Sequence, residues 1–482
     1  MLDRPPVHVI QRRFHVAGRA ATIFAAGGQR PTARVAAICA GRASRALTVR
    51  PSGSLVLVAA GSGGVRAYAS GLLPLRRNRD FVLLQLGQLL SGFGSSLSSI
   101  AYPLLALAVT HSPAKAGYVS AMLFAPMLVF GLAAGMAADR FDRRRLMIAS
   151  NLVGAGALAT LGWAVITGAA SLRLILVVAF VDSTSGVFFR AGQSGAFRAV
   201  VPLPQIATAA SIVQARMSTV RLGAPPLGGA LFGIARSIPF IADAASYAFS
   251  TGSLLLMRTR FQESHRDPAP LRRQLADGVS VFIRIPFLRT TMLMIAVSNF
   301  TVTGMELAMI VLAKRAGLPS AAVGGLVALT GAATLLGSLA SPLLRRALPM
   351  RLILLGEYWA ALGYIAFLLW PNVFVLAAAF AAHAFWFPNS DSAVAAYSYA
   401  LIPDRLIGRA LSVSNTLRVL AAPLGPLAAG LLLSSVSPRA TITVLAAATI
   451  VVAALGTRSK AIRAIPPLDE LTKAAPSPVA PS

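Results

Sequence analysis

Seven charged side chains lie inside apolar stretches of the sequence that are long enough to cross a lipid bilayer. Charges are costly in hydrocarbon, so they are usually kept there for binding, proton transfer or gating. Asp182 and Glu306 are candidate proton carriers, because a poorly solvated carboxylate can become neutral. The others are candidates for lining or gating a substrate path: Arg190, Arg216, Arg221, Arg418 and Asp391. Purely structural ion pairs are the alternative interpretation.

The composition argues against a soluble protein and against an enzyme. The chain is 56% hydrophobic and 12% charged, which is far too apolar for a soluble domain. Its net charge of +29 would indicate nucleic-acid binding in a soluble protein, but here the basic residues lie between apolar stretches. No nucleic-acid partner is therefore expected. There is no Gly-x-x-x-x-Gly-Lys phosphate loop and only one cysteine, Cys39, so we expect neither direct ATP use nor a metal or other cofactor.

The apolar stretches predict an all-α membrane protein with twelve transmembrane helices. These spans cover approximately residues 81–109, 116–138, 146–167, 173–197, 206–235, 238–257, 291–313, 321–344, 351–370, 373–398, 406–433 and 439–457. The longest loop between them falls midway, so two halves of six helices are expected. The predicted domains are an extension (1–75), a first half (76–257), a linker loop (258–290), a second half (291–457) and a tail (458–482).

Basic residues are distributed unevenly between alternate loops. Most Lys and Arg fall in the loops that share a side with the linker. The other loops hold only Lys115, Arg173, Arg236, Lys314, Arg315 and Arg439. Because cytoplasmic loops carry the excess of positive charge, both termini and the linker are predicted to be cytoplasmic, in a multi-pass protein of the inner membrane.

The first 75 residues form a basic region with a single acid, Asp3. Arginines interrupt every apolar run there, so no span is predicted. We expect a disordered cytoplasmic extension. A transit peptide and a misassigned start codon are the alternatives.

One short hairpin carries a recognisable motif. Residues 135–145 read Gly-Met-Ala-Ala-Asp-Arg-Phe-Asp-Arg-Arg-Arg and separate the second and third predicted spans. Such a charged block must lie at a membrane face. It resembles the loop 2–3 signature of the major facilitator superfamily, Gly-x-x-x-Asp-Arg-x-x-Arg-Arg, in the form typical of enterobactin exporters and macrolide-efflux proteins. The resemblance implies a conformational latch formed by Gly135, Asp139, Arg140, Arg143 and Arg144. A basic loop that only sets topology is the alternative.

The two predicted halves repeat each other. A shift of 202 residues places Gly135 and Arg143 on Gly337 and Arg345. A shift of 201 residues places Arg190 on Asp391, which predicts an ion pair that gates the path between the halves. The alternative is that Arg190 holds an anionic substrate.

The family resemblance implies a secondary transporter with its substrate site between the halves near the membrane midplane. Residues 223–229 resemble an element of the family's exporters, with Ala224 in place of a glycine. We therefore predict a monomer that exports a small amphiphilic molecule, such as a drug or siderophore, in exchange for protons. An uptake or metabolite carrier of the same fold and a non-transporting sensor are the alternatives.

Three ionisable residues receive other interpretations. Glu306 is the first choice for proton coupling, because no arginine lies on its own predicted span up to residue 313. Asp243 and Glu357 fall near predicted span ends and are interpreted as interface or capping groups. His383 stands alone in the tenth span and is interpreted as a packed or cavity histidine. The substrate's identity and charge stay open at this stage.

Overall fold

A computed structural model describes residues 10–16, 19–25, 46–49, 55–58, 74–259, 261, 279–402, 406, 410, 413–414 and 417–464. From residue 74 onward, the described elements are helical. The first half contains α1 (Arg79–Thr110), α2 (Pro113–Met122), α3 (Ala125–Arg140), α4 (Arg143–Ile166), α5 (Leu172–Val200), α6 (Ile206–Ile234) and α7 (Ile238–Leu256).

The second half contains α8 (Pro286–Arg315), α9 (Ser320–Ala347), α10 (Met350–Ala360), α11 (Ile365–Leu369), α12 (Val373–Leu401), α13 (Leu424–Ser435), α14 (Pro438–Arg458) and the short α15 (Lys460–Arg463). A single 3-10 turn, Ala361–Tyr364, joins α10 to α11.

Ten helical segments in the described chain are long and apolar enough to cross a membrane. Helices α6 and α7 occupy the other two predicted spans. Helix α6 carries Arg216 and Arg221, and α7 carries Asp243. An all-α membrane fold is thereby confirmed, and the helix order is consistent with twelve spans.

Two of the predicted spans are interrupted. The second is divided into α2 and α3 at residues 123–124, just before Pro126, which is near the start of α3. Proline fits the first turn of a helix but cannot donate the backbone hydrogen bond that would continue the preceding one. The ninth span changes to 3-10 geometry between α10 and α11.

Side-chain caps define several helix starts. Ser112, Asp142, Asn372 and Ser437 each accept a hydrogen bond from a backbone N–H in the first turn of α2, α4, α12 and α14. Polar caps satisfy donors that have no partner within the helix. Asp142, whose carboxylate lies 2.8 Å from the Arg145 backbone nitrogen, thus accounts for the sharp turn in the basic hairpin.

Four short strands lie in the N-terminal region, where the sequence predicts no regular structure. Strand β1 (Ile10–Val16) pairs antiparallel with β2 (Arg19–Ala25), and β3 (Ala46–Val49) pairs antiparallel with β4 (Leu55–Val58). The remaining contacts reported below lie within a separate unit, which contains the described residues of 79–200 and those from 211 onward.

The two halves approach closely at one end of the bundle. We call the end that carries the α3–α4 turn the basic end and the other the opposite end. A Cβ atom built on Gly430 of α13 would lie 3.0 Å from Gly117 Cα and 2.6 Å from the Pro113 carbonyl oxygen of α2. On the other side of the bundle, Gly324 of α9 lies against the backbone of Pro225 in α6. Small residues permit such backbone contact between membrane helices, so the opposite end is closed.

We expect Gly324→Val to hold the opposite end open, because its side chain would collide with the Pro225 backbone. Gly325→Val is the matched control, since a Cβ there meets nothing within 4 Å. Spin labels at Arg236→Cys and Ser435→Cys, in a Cys39→Ser background, would report the separation by pulsed electron resonance. A longer distance is expected for the Gly324 variant only. Identical distributions in both variants would contradict the closure.

Candidate functional site

A buried carboxylate lies among three helices of the first half. Asp182 of α5 accepts hydrogen bonds from the Tyr247 hydroxyl of α7 at 3.0 Å and from the Tyr102 hydroxyl of α1 at 3.1 Å. Asp182 is only 7% exposed. Both of its oxygens are therefore engaged by neutral donors, which stabilise a charge that the membrane interior would otherwise penalise.

Asp243 lies beside this cluster, contrary to its interpretation as a capping or interface group. It is fully buried in α7 and accepts hydrogen bonds from Ser98 and Ser246. Helices α1 and α7 pack tightly here, because a Cβ on Gly94 would lie 2.9 Å from Asp243 Cα. The serine-rich stretch of α1 was the sequence signal for a polar partner.

The second half contains its own buried ionisable pair. Glu357 of α10 is 3% exposed and accepts a hydrogen bond from Ser298. The His383 Nε2 atom lies 3.8 Å from Glu357 Oε1, and its Nδ1 atom lies 3.3 Å from the Tyr364 hydroxyl. The interpretation of Glu357 as a span-end group is therefore wrong. His383 is fully buried but has specific polar partners.

Asp391 and Arg418 form an ion pair within the second half. The Arg418 Nη1 atom donates to Asp391 Oδ1, and Asn299 donates to the Arg418 backbone carbonyl. Together with Ser298 and Glu357, these residues line a cavity of about 170 Å³. This cavity gives the second half a polar face that water or a small ligand can reach.

The predicted pair between Arg190 and Asp391 does not form in this conformation. Asp391 instead bonds to Arg418, which lies in the short helical stretch 417–420 just before α13. The Arg190 guanidinium folds along its own helix, where a Cβ on Gly186 would lie 3.3 Å from Arg190 Nη1. The sequence shift identified two residues at matching positions but not their partners.

Arg216 is held by an amide rather than by an acid. It donates to Gln88 Oε1 of α1, and Gln193 Nε2 of α5 donates to the same oxygen at 2.6 Å. Arg221 is exposed, and its backbone carbonyl lies 2.8 Å from the position of a Cβ on Gly331. The sequence does not identify Gln88 and Gln193 as site residues, because neutral amides give no charge signal.

Glu306 lies on α8 and is partly exposed. Within the described part of the chain, no hydrogen bond or ion pair to its carboxylate is found. It therefore differs from Asp182, Asp243 and Glu357, which all have polar partners. No group of three or more potential metal ligands occurs in that part of the chain either.

The latch candidates lie at the basic end, as the sequence predicts for a hairpin. Asp139 Oδ1, near the end of α3, lies 3.5 Å from Arg143 Nη2 at the start of α4, and Arg143 Nε donates to the Ala138 carbonyl. Arg144 donates to the Leu255 carbonyl at 2.7 Å. The Arg143 side chain also lies directly against Gly195 of α5. Gly135 and Arg140 are exposed. These contacts all lie within the first half.

Comparisons with known proteins all indicate the same family. A model described as Major Facilitator Superfamily matches residues 84–370. The uncharacterized MFS-type transporter YfiS of Bacillus subtilis is 27% identical over 272 residues, which are 55% of this chain and 64% of that protein. The MFS-type transporter YkuC is 26% identical over 40% of this chain and 44% of its own length. The chain thus matches less than two thirds of each relative.

Solved structures show the same fold. A bacterial homolog of the human lysosomal transporter Spinster, inward-facing and unoccupied, has a TM-score of 0.59 at 19% identity, covering 84% of this chain and 96% of that one. A bacterial homologue of the iron transporter ferroportin, in an inward-facing state, has a TM-score of 0.62 at 16% identity, covering 80% and 99%. The nucleoside transporter NupG has a TM-score of 0.65 at 11% identity, covering 80% and 99%.

The Asp391–Arg418 pair can be tested by charge reversal. Asp391→Asn is expected to lower the free energy of unfolding by about 1–2 kcal/mol, because Arg418 keeps its charge and loses its partner. Asp391→Arg combined with Arg418→Asp should recover most of that loss. Asp391→Arg combined with Arg190→Asp should recover none of it. Unfolding in detergent measures all three, and recovery by the Arg190 combination alone would contradict the observed pairing.

Proposed function

This chain belongs to the Major Facilitator Superfamily, and we propose that it is a proton-coupled exporter of a small amphiphilic molecule. The family and fold make it a transporter rather than an enzyme. Export, the chemistry of the substrate and the coupling ion are our proposal. They are supported by the charged interior and by the resemblance of the 135–145 hairpin and the 223–229 segment to exporters.

The closed opposite end supports alternating access. With the basic end in the cytoplasm, as its arginines favour, this conformation is the inward-facing one. Two of the similar solved structures are themselves inward-facing. A substrate then enters from the cytoplasm or inner leaflet and leaves after the two halves rock about the central site.

Proton coupling rests on one observation: Glu306 has no polar partner in the described chain, although it lies on a helix of the kind that lines the central cavity in this superfamily. A carboxylate without a partner is most easily kept in the membrane interior as the neutral, protonated acid. Protonation from the acidic outside and release to the cytoplasm would then accompany the conformational cycle. The membrane potential favours inward proton movement by about 2.3 kcal/mol per charge per 100 mV.

Asp182 is the second candidate for the coupling proton. Its two tyrosine donors stabilise the ionised form, which makes it a poorer carrier than Glu306. We therefore assign Asp182 a supporting role within the first half, where it also balances part of the charge on Arg190.

The direction of transport can be tested in cells. Accumulation of a panel of antibiotics and siderophores in a deletion strain, with and without the gene, should show lower accumulation when the protein is present. A protonophore should remove that difference. Higher accumulation in the presence of the protein would instead favour the competing uptake function.

Substitution of Glu306 tests the coupling site. Glu306→Gln should abolish flux driven by an imposed pH gradient in proteoliposomes, because the amide cannot exchange a proton. Substrate exchange without a gradient should persist. Glu470→Gln, the same substitution in the predicted C-terminal tail, is the control that keeps gradient-driven flux. A Glu306→Gln variant that responds to the gradient as the wild type does would refute the assignment.

The hairpin is proposed to act as a latch between conformations. Asp139→Asn should reduce transport at least tenfold with normal expression and unfolding temperature, since the 3.5 Å pair with Arg143 contributes little stability at an exposed site. Transport and thermal unfolding of the purified variant provide the two measurements. Flux at the wild-type rate would show that the hairpin only sets topology.

A further inference from the structure

The two halves differ in how their deep arginines are neutralised. In the second half Arg418 is paired directly with Asp391. In the first half, neither Arg190 nor Arg216 lies within ion-pair distance of a carboxylate in the described chain. Unpaired cations inside a membrane are rare and costly unless they meet a counter-ion or water. The first half therefore contains two interior arginines with no carboxylate in direct contact.

The two arginines lie at one depth. Arg190 is ten residues before the end of α5 at Val200, and Arg216 is ten residues after the start of α6 at Ile206. Gln88 is nine residues after the start of α1 at Arg79. At 1.5 Å per residue, all three lie about 14–15 Å from the basic end of their helices. Under alternating access, closure of the opposite end would expose this depth to the basic end.

The side-chain amides of Gln88 and Gln193 orient Arg216. Gln88 Oε1 accepts from both Arg216 and Gln193, so its carbonyl faces α5 and α6 together. Arg190 precedes Gln193 by three residues and shares its helix face. The Arg190 guanidinium itself folds back along α5 beside Gly186, whereas the Arg216 guanidinium is held at Gln88. Arg216 spends only part of its donor capacity on Gln88, and Arg190 makes no hydrogen bond within the described residues, so most of their N–H groups are available.

Asp182 does not serve as their counter-ion. It precedes Arg190 by eight residues, about 12 Å along α5, and both of its oxygens accept tyrosine hydroxyls. Its charge reaches Arg190 through space without a direct hydrogen bond. The Arg190 guanidinium and the Arg216 N–H groups that Gln88 does not engage are therefore available to an oxyanion.

We propose that Arg216, held at Gln88, and Arg190, which lies at the same depth and makes no hydrogen bond within the described residues, bind the anionic group of an amphiphilic substrate. Planar guanidinium groups donate paired hydrogen bonds to phosphate or carboxylate oxygens, which makes them better suited than lysine to this task. The inference rests on the proposed transport function and specifies the substrate's charge. Export of an anion and import of a proton both move charge in the direction that an inside-negative potential favours.

The test measures binding to the full-length protein in non-ionic detergent by titration calorimetry. The probes are decyl phosphate, decanol, decyltrimethylammonium and inorganic phosphate. Decyl phosphate should bind most tightly. Arg190→Gln and Arg216→Gln should each weaken it at least about tenfold, the loss expected for hydrogen bonds to a charged group. Arg173→Gln, an exposed arginine at the other end of α5, is the matched control and should bind as the wild type does.

Several outcomes would overturn the proposal. Equal affinity for decanol or the ammonium probe would remove the charge preference. Equal affinity for inorganic phosphate would identify a free-anion site instead of one for an amphiphile. Equal loss in the Arg173 control would show a non-specific effect of the substitutions. Binding is read without flux, so intact binding in a protein that transports nothing would reject the proposed function and leave this site standing.

Discussion

Hydrocarbon cannot solvate charge, and this constraint governs the interior of the protein. Each deep ionisable group must have a hydrogen-bonding partner, an opposite charge, a proton or access to water. Asp182, Asp243 and Glu357 meet the requirement with hydroxyl groups from tyrosine or serine on neighbouring helices. Arg418 meets it with an acid. The groups that have no hydrogen-bonding or ionic partner within the described chain, Glu306 and the Arg190 guanidinium, are the ones to which we assign a proton and a substrate anion.

A transporter also needs an end that can close and open, and close helix contact provides it here. Gly117 and Gly430 allow α2 and α13 to touch through their backbones, and Gly324 does the same for α9 against α6. These contacts involve backbone atoms and glycine, so few packed side chains have to separate. The halves can therefore separate at this end without unpacking the clusters that hold Asp182 and Glu357 within each half.

Much of the fold follows from the sequence because its signals are local. Runs of apolar residues locate the helices, and the Asp142 cap with its flanking arginines locates the turn at the basic end. The break between α2 and α3 was missed because an apolar run continues across it, although Pro126 marks the place. Polar partners were less accessible: Asp243 was misinterpreted because its burial depends on α1, which is distant in sequence and approaches through Gly94. The Asp391–Arg418 contact of this conformation was not predicted, because pseudo-symmetry relates positions, whereas side-chain reach decides which atoms meet.

We expect transport to require that the opposite end opens and closes. Cysteines at Gly233→Cys and Ser320→Cys, in a Cys39→Ser background, would place two thiols across α6 and α9, because a Cβ on Gly233 lies 4.0 Å from Ser320 Cβ. In energised membrane vesicles carrying this variant, oxidation should form a disulfide and stop gradient-driven movement of a compound identified in the accumulation assays. Reduction should restore it. Undiminished transport by the fully cross-linked protein would contradict the account.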